Sequence, residues 1–236
     1  MADFIESARA ILSQSERRME ATANNVANFT TSGFKTQHLY SDVSMEADSR
    51  APETLLHLSL DLAQGRLIKT NNPLDLAISG AGMFRLSAAD GTVAYSRGGQ
   101  FKLAADGRVV NAQGLAVQTA DGGDLLLPDN NVEILADGTV LDGERPVAKI
   151  GLYAPSDESQ VRPIGGSLFK ISDDAVEDVA VPELRQGMIE ASNVALADEM
   201  VAMMEALRTA EGGARLVQTY DDLMGKAVQA FGQGGR

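Results

Sequence analysis

The chain has 236 residues, of which 44% are hydrophobic and only 5% aromatic, with no tryptophan. That is enough to bury a core in one large domain or two small ones, but thin for one compact enzyme throughout. The formal net charge is −13 with no basic patch, which argues against a nucleic-acid partner, because phosphate neutralisation needs clustered Lys and Arg. The lack of cysteine excludes disulfides, thiolate metal sites and cysteine nucleophiles.

No apolar run approaches the roughly 20 residues of a membrane span, so membrane insertion is not expected. The first segment, "MADFIESARAILSQSERRME", lacks the basic leader and unbroken apolar stretch of a cleavable signal peptide. It reads as an amphipathic helix. Ile5, Ala8, Leu12, Ser15, Met19, Thr22 and Val26 alternate three and four apart, a period of about 3.5 like that of a coiled-coil seam. The helix is expected to end near Asn28, with Gly33 free to take the positive φ of the following turn. Three asparagines, Asn24, Asn25 and Asn28, crowd this helix end. Their amides carry more donors and acceptors than one helix terminus uses.

Residues 37–79 read as an extended linker with strands. Leu56, Leu58, Leu60 and Leu62 alternate as in a strand, and Pro73 turns the chain. Residues 80–184 read as a central all-β domain. Asp-Gly pairs at 90–91, 106–107, 121–122 and 137–138 recur about fifteen apart, with a fifth at 142–143. Both residues tolerate positive φ, so each pair predicts a tight turn. Short apolar segments such as "MFRL", "VAYSR", "LLL" and "VAKIGLY" lie between them and predict many short strands. Residues 185–236 predict a second helix, capped at Ser192 or Asn193. Its expected seam runs through Met200, Met203, Leu207, Ala210, Ala214, Val217, Met224, Val228 and Phe231, broken by Asp221. Gly212-Gly213 sits mid-helix at about 1 kcal/mol per glycine relative to alanine. The fold class expected is α+β: terminal helices pairing as a coiled-coil-like core around a β domain.

Catalytic patterns are sparse. Ser32 to Lys35 matches S-x-x-K, but the companion motifs of acylating serines are absent, and the match falls in a turn. Gly80 and Gly82 begin a glycine-rich pattern, but Arg85 stands at its third glycine, and a tight turn into a strand is the simpler reading. His38 and His57 are not at ligand spacing. No D-x-D-x-D-G loop supports calcium. The chain is therefore expected to be no enzyme and to bind no metal or cofactor.

The terminal stripes need partners. Ordering costs about 1–2 kcal/mol per residue in backbone entropy, while a buried Leu, Ile or Met returns roughly 1.5–3 kcal/mol. The first stripe has about four sizeable apolar residues in its helix, so a single partner helix hardly stabilises it. Packing against several neighbouring copies does so better, and predicts helices that order on assembly.

These residues also carry a resemblance. "ANNVANFTTSGFKTQ" resembles the A-N-N-(L/I)-A-N-x-x-T-x-G-(F/Y)-K signature of bacterial flagellar rod and hook proteins. "NNPLDLAISGAGMF", "VAYSRGGQFKLAADGRVVNAQGLAV" and "GMIEASNVALADEMVAMMEALRTAE" are similar to three further motifs of that family, in order. By length the chain is nearest the proximal rod members. The resemblance implies a non-enzymatic structural subunit of the basal-body rod, exported through the flagellar type III apparatus without a cleaved signal. Its partners would be copies of itself and other axial rod subunits, and its place the periplasm-spanning basal body. The assembly residues implied at matching positions are Asn24, Asn25, Asn28, Gly33 and Phe34 in the first motif, and Ser192, Asn193, Val194, Glu199 and Met200 in the last. The amides would bond the turn and also reach the next subunit. The chain departs from the family pattern at Ala210, where an aromatic is usual, and at Gly212-Gly213. The alternatives are a distal rod subunit of the same family and a free-standing β-domain binding module of the envelope.

Overall fold

The computed structural model describes residues 2–44 and 53–233. The seam positions Ile5, Val228 and Phe231 fall outside the described side chains. The chain divides into two compact units that alternate along the sequence. Residues 1–26, 37–59 and 195–236 make the first, and 27–36 and 60–194 the second. The linker expected over 37–79 is thus shared between them, and residues 185–194 belong with the β region rather than with the last helix.

The first unit contains helix α1 (Ala2–Ala27), helix α2 (Leu196–Gln233) and a two-stranded sheet of β1 (Gln37–Ser44) and β2 (Glu53–Leu60). On α1 the expected stripe is the inner face: Ala8, Ser15 and Thr22 are buried, and Leu12, Met19 and Val26 half-buried. Ser15 turns its hydroxyl back to the Ile11 carbonyl at 2.8 Å, so a polar residue sits on this face without an unpaired donor.

On α2 the inner face differs from the expected seam. Glu199, Ala206 and Gly213 are buried at seven-residue spacing, with Met203, Ala210 and Val217 half-buried beside them. Met200, Leu207, Ala214 and Met224 are exposed. Large apolar residues misplace the seam because two of the three buried positions, Ala206 and Gly213, are small and the third is Glu199. Gly213 shows why. A methyl group built on it would lie 3.2 Å from Leu12 Cδ2, so α1 and α2 approach closely there and Leu12 would have to give by a few tenths of an ångström. Gly212, facing open space, has no such constraint.

The expected cap is also corrected. Helix α2 starts at Leu196, and the Ala195 carbonyl accepts the Glu199 N–H at 3.1 Å. Ser192 Oγ accepts the Val194 N–H instead. Asp198 and Glu199 place negative charge at the positive end of the helix dipole.

The second unit is built on a nine-stranded antiparallel sheet. Met83–Ser87 lies at its centre and pairs Val93–Ser96 on one side. On the other it pairs Ala116–Val117 through Leu86 and Ser87, and Leu152–Pro155 through Met83 and Phe84. Every glycine of the five Asp-Gly pairs has positive φ, from +60° to +87°, as the turn reading requires. "LLL" is no strand: Leu125 and Leu127 are buried and Leu126 is exposed. "VAKIGLY" is divided between Arg145–Lys149 and Leu152–Pro155. The core gathers Leu76, Ile78, Phe84, Leu86, Phe101, Val117, Val140 and Ile150, with Phe84 edge-on to Phe101 at 5.2 Å. Two short ladders tie the end of this unit to its start: Leu184–Gln186 pairs Leu76–Ile78, and Met188–Glu190 pairs Leu67–Lys69.

Candidate functional site

Within the second unit, residues 28–36 form a turn clasped by the stretch 190–193. The Thr31 N–H returns to the Asn28 carbonyl at 3.0 Å and the Phe34 N–H to Thr31 at 3.2 Å. Thr31 Oγ1 also donates to Asn28 Oδ1 at 3.1 Å. Gly33 adopts φ +69°, and a Cβ there would fall 2.1 Å from the Gly98 nitrogen. Only glycine allows both the left-handed backbone and this main-chain approach. Its N–H donates to the Glu190 carbonyl at 2.8 Å, and Ser32 Oγ donates to the same oxygen at 2.9 Å. Phe34 is buried.

Lys35, which sequence reasoning passed over as a site residue, is fully buried with Glu190. Its ammonium donates to Glu190 Oε1 and to the Ala63 carbonyl, each at 2.6 Å. The Gly65 N–H donates to the same Oε1 at 2.9 Å. Glu190 Oε2 faces Arg97 Nη1 at 3.3 Å, an ion pair without hydrogen-bond alignment. Arg97 Nη2 donates to the Gly80 carbonyl at 2.6 Å. One buried carboxylate thus holds two buried cations. Burial pushes the Lys35 pKa down, against the pull of Glu190.

Asn193 uses its whole amide in one clasp. Its Oδ1 accepts the Thr36 N–H at 2.8 Å and the Thr36 hydroxyl at 2.9 Å. Its Nδ2 donates to the carbonyls of Asp61 and Ala63 at 2.8 and 3.2 Å. This is why Asn193 does not cap α2.

Within the first unit, Asn25 imitates a strand neighbour. Its Nδ2 donates to the Gln37 carbonyl and its Oδ1 accepts the Gln37 N–H, both at 2.9 Å. Asn24 Nδ2 reaches Gln37 Oε1 at 3.5 Å. The buried amide of Asn25 is therefore spent inside its own chain. Of the remaining expected residues, Glu199 is buried on the inner face of α2, Val194 and Ser192 are half-buried, and Met200 is exposed.

No group of three or more His, Asp or Glu among the described residues is placed to hold a metal ion. Ser32 and Lys35, the S-x-x-K pair, both serve Glu190. His57 stacks on Tyr40 at 5.5 Å on the two-stranded sheet. These positions are occupied by structural work.

The fold and the clasp define a class: proteins in which a β domain is inserted between two terminal helices, with both flanks of the insertion fastened to each other. Three family models match the chain in order. The flagella basal body rod protein model matches residues 5–35, the flagellar hook protein FlgE/F/G D1 domain model 77–141, and the flagellar basal body rod FlgEFG protein C-terminal model 185–230. The basal-body rod protein FlgF of Caulobacter vibrioides is 30% identical over 228 residues, covering 92% of this chain and 93% of the relative. The rod protein FlgG of Borreliella burgdorferi is 30% identical over 89% of the chain and 91% of its own length. FlgF of Salmonella typhimurium is 29% identical over 97% and 98% respectively. The chain belongs to the flagellar basal-body rod protein family.

Proposed function

We propose that the chain is a structural subunit of the proximal rod, polymerising through its terminal helices into the hollow shaft that transmits motor torque. The observation that carries this reading is a set of apolar side chains left exposed along α2. Met200, Val201, Met204, Leu207, Leu216 and Leu223 are all exposed, although the inner face of the same helix is already covered. Met200, Val201, Met204 and Leu207 lie close together on its first turns, and clustered exposed apolar side chains mark an interaction surface. In the assembled shaft α1 and α2 form a coiled-coil-like core with their neighbours, and the β domain faces outward. Asn24, Asn28, Glu199 and Met200 contribute contacts to that core, while Asn25, Gly33, Phe34, Ser192, Asn193 and Val194 shape the joint that presents it. The subunit carries out no catalysis. It leaves the cell unfolded through the type III export apparatus and works in the basal body between the membranes.

The distal rod is the second reading, favoured by the equal likeness to a FlgG relative. Quantitative mass spectrometry of purified basal bodies tests both. A handful of copies per structure supports the proximal rod, and a few tens move the assignment to the distal rod. Absence from basal bodies overturns both and leaves the free-standing envelope module. A second test is Asn28→Leu, which is expected to impair motility while leaving the β domain folded. Normal motility would remove Asn28 from the assembly residues.

A further inference from the structure

The five Asp-Gly pairs share a sequence but not an environment. In four of them the glycine N–H is held in its turn: Gly91 donates to Ala88 at 2.9 Å, and Gly107 to Ala104, Gly122 to Thr119 and Gly138 to Leu135 at 3.0 Å. In three of these the aspartate is held as well. Asp90 Oδ1 accepts the Thr92 N–H, Asp106 the Arg108 N–H and Asp137 the Thr139 N–H. The fifth pair differs on both counts. Among the described residues, Gly143 N–H has no acceptor and the Asp142 carboxylate accepts no hydrogen bond. Both residues are exposed at the tip of the hairpin joining Thr139–Asp142 to Arg145–Lys149. A Cβ on Gly143 would meet nothing within 4 Å, so the tip has room to change shape.

We propose that Asp142-Gly143 is the site of spontaneous isoaspartate formation in this chain, selected from five equivalent sequences by the fold. The Gly143 amide nitrogen attacks Cγ of the protonated Asp142 side chain. A Cγ–N bond forms, the Cγ–OH bond breaks, and water leaves with the amide proton. Water then opens the five-membered imide. Cleavage of the bond from nitrogen to the Asp142 main-chain carbonyl carbon leaves the backbone running through Cγ, with the α-carboxylate pendant and no change in mass. Attack needs an amide nitrogen whose N–H is uncommitted and a carboxyl that is not held by hydrogen bonds. Asp142-Gly143 meets both conditions and Asp121-Gly122 only the second. A committed N–H must open first, which slows the reaction about five-fold for each ordinary hydrogen bond lost. The product lengthens the main chain by one atom where Asp142 pairs with Arg145, at an end of the sheet where no buried side chain resists it.

The test is ageing of the full-length chain at neutral pH and 37 °C. Isoaspartate is labelled by an isoaspartyl methyltransferase and located by electron-transfer fragmentation of peptides. The expected result is conversion at position 142 about five-fold above position 121, and further above positions 90, 106 and 137. The same chain aged in concentrated urea is expected to convert all five alike, because the selecting bonds are gone. Asp142→Glu, whose ring closure is slow, is expected to abolish the native signal, and Asp142→Asn to accelerate it. Conversion led by any of the other four, or none at 142 in the native chain while the urea control converts, overturns the proposal.

Discussion

Exchanging Glu190 for Gln tests the account of the buried cluster. The shape is kept, and the amide oxygen still accepts from Lys35 and Gly65. What goes is the single negative charge that holds two buried cations, and the new NH₂ faces Arg97 where Oε2 stood at 3.3 Å. Removing one partner from a buried pair costs about 3–5 kcal/mol, a large part of the roughly 5–15 kcal/mol that stabilises an ordinary domain. Lys35→Met is the contrasting change. It leaves Glu190 with Arg97, one charge of each sign, and removes the donor to Ala63 and Glu190, for about 1–3 kcal/mol. Glu190→Gln is therefore expected to be the more damaging of the two, and the double variant less damaging than the sum of the singles. Urea unfolding followed by tyrosine near-UV circular dichroism reads this out, since Tyr95 and Tyr153 lie buried in the same unit. Equal midpoints for the two single variants, or a larger loss for Lys35→Met, would refute the charge argument and reduce the cluster to packing.

Other outcomes follow from the same geometry. Gly212→Ala is expected to raise the stability of α2 by about 0.5–1 kcal/mol, since its Cβ meets open space. Gly213→Ala is expected to forfeit that gain against Leu12, and thermal melts of the two variants compare them directly. Asn193→Ala removes four hydrogen bonds and is expected to cost about 2–4 kcal/mol at roughly 1 kcal/mol each, seen as a lower urea midpoint. The carboxyls of Asp90, Asp137 and Asp157 are held below their ordinary pKa chiefly by main-chain N–H groups, and Asp106 chiefly by the Arg108 side chain. A depressed folded pKa gives stability that is present above the unfolded value near 3.8 and is lost as pH falls through the folded one. The melting temperature is expected to fall below about pH 4, and Asp→Asn at these turns to flatten that fall.

Much of the fold was legible in the residues because local chemistry decides it. The stripe on α1, the positive φ of Gly33 and the Asp-Gly turns follow from side-chain spacing and glycine's freedom alone. The α+β class follows from them. Two things were not legible. The inner face of α2 is lined by Ala206 and Gly213 rather than by its larger apolar residues, and small residues give no periodic signal. Lys35 and Glu190 stood inside recognised motifs, yet a lysine in a turn reads as solvated. Only the partner 155 positions away makes it buried, and no local pattern announces a bond of that span. Asn193 was noticed as a cap, but its donors and acceptors are filled by Thr36, Asp61 and Ala63, a tertiary arrangement that propensity does not encode.

The long reach between residues 33–36 and 190–193 also sets a clock. A chain that emerges N-terminus first presents Lys35 long before Glu190 arrives, and a bare ammonium does not enter an apolar interior. Closing so large a loop adds little extra free energy but takes time. The second unit therefore has no complete foundation until residue 190 has appeared. Early compaction is discouraged by the sequence itself, and the segment that commits the second unit is the last of that unit to arrive.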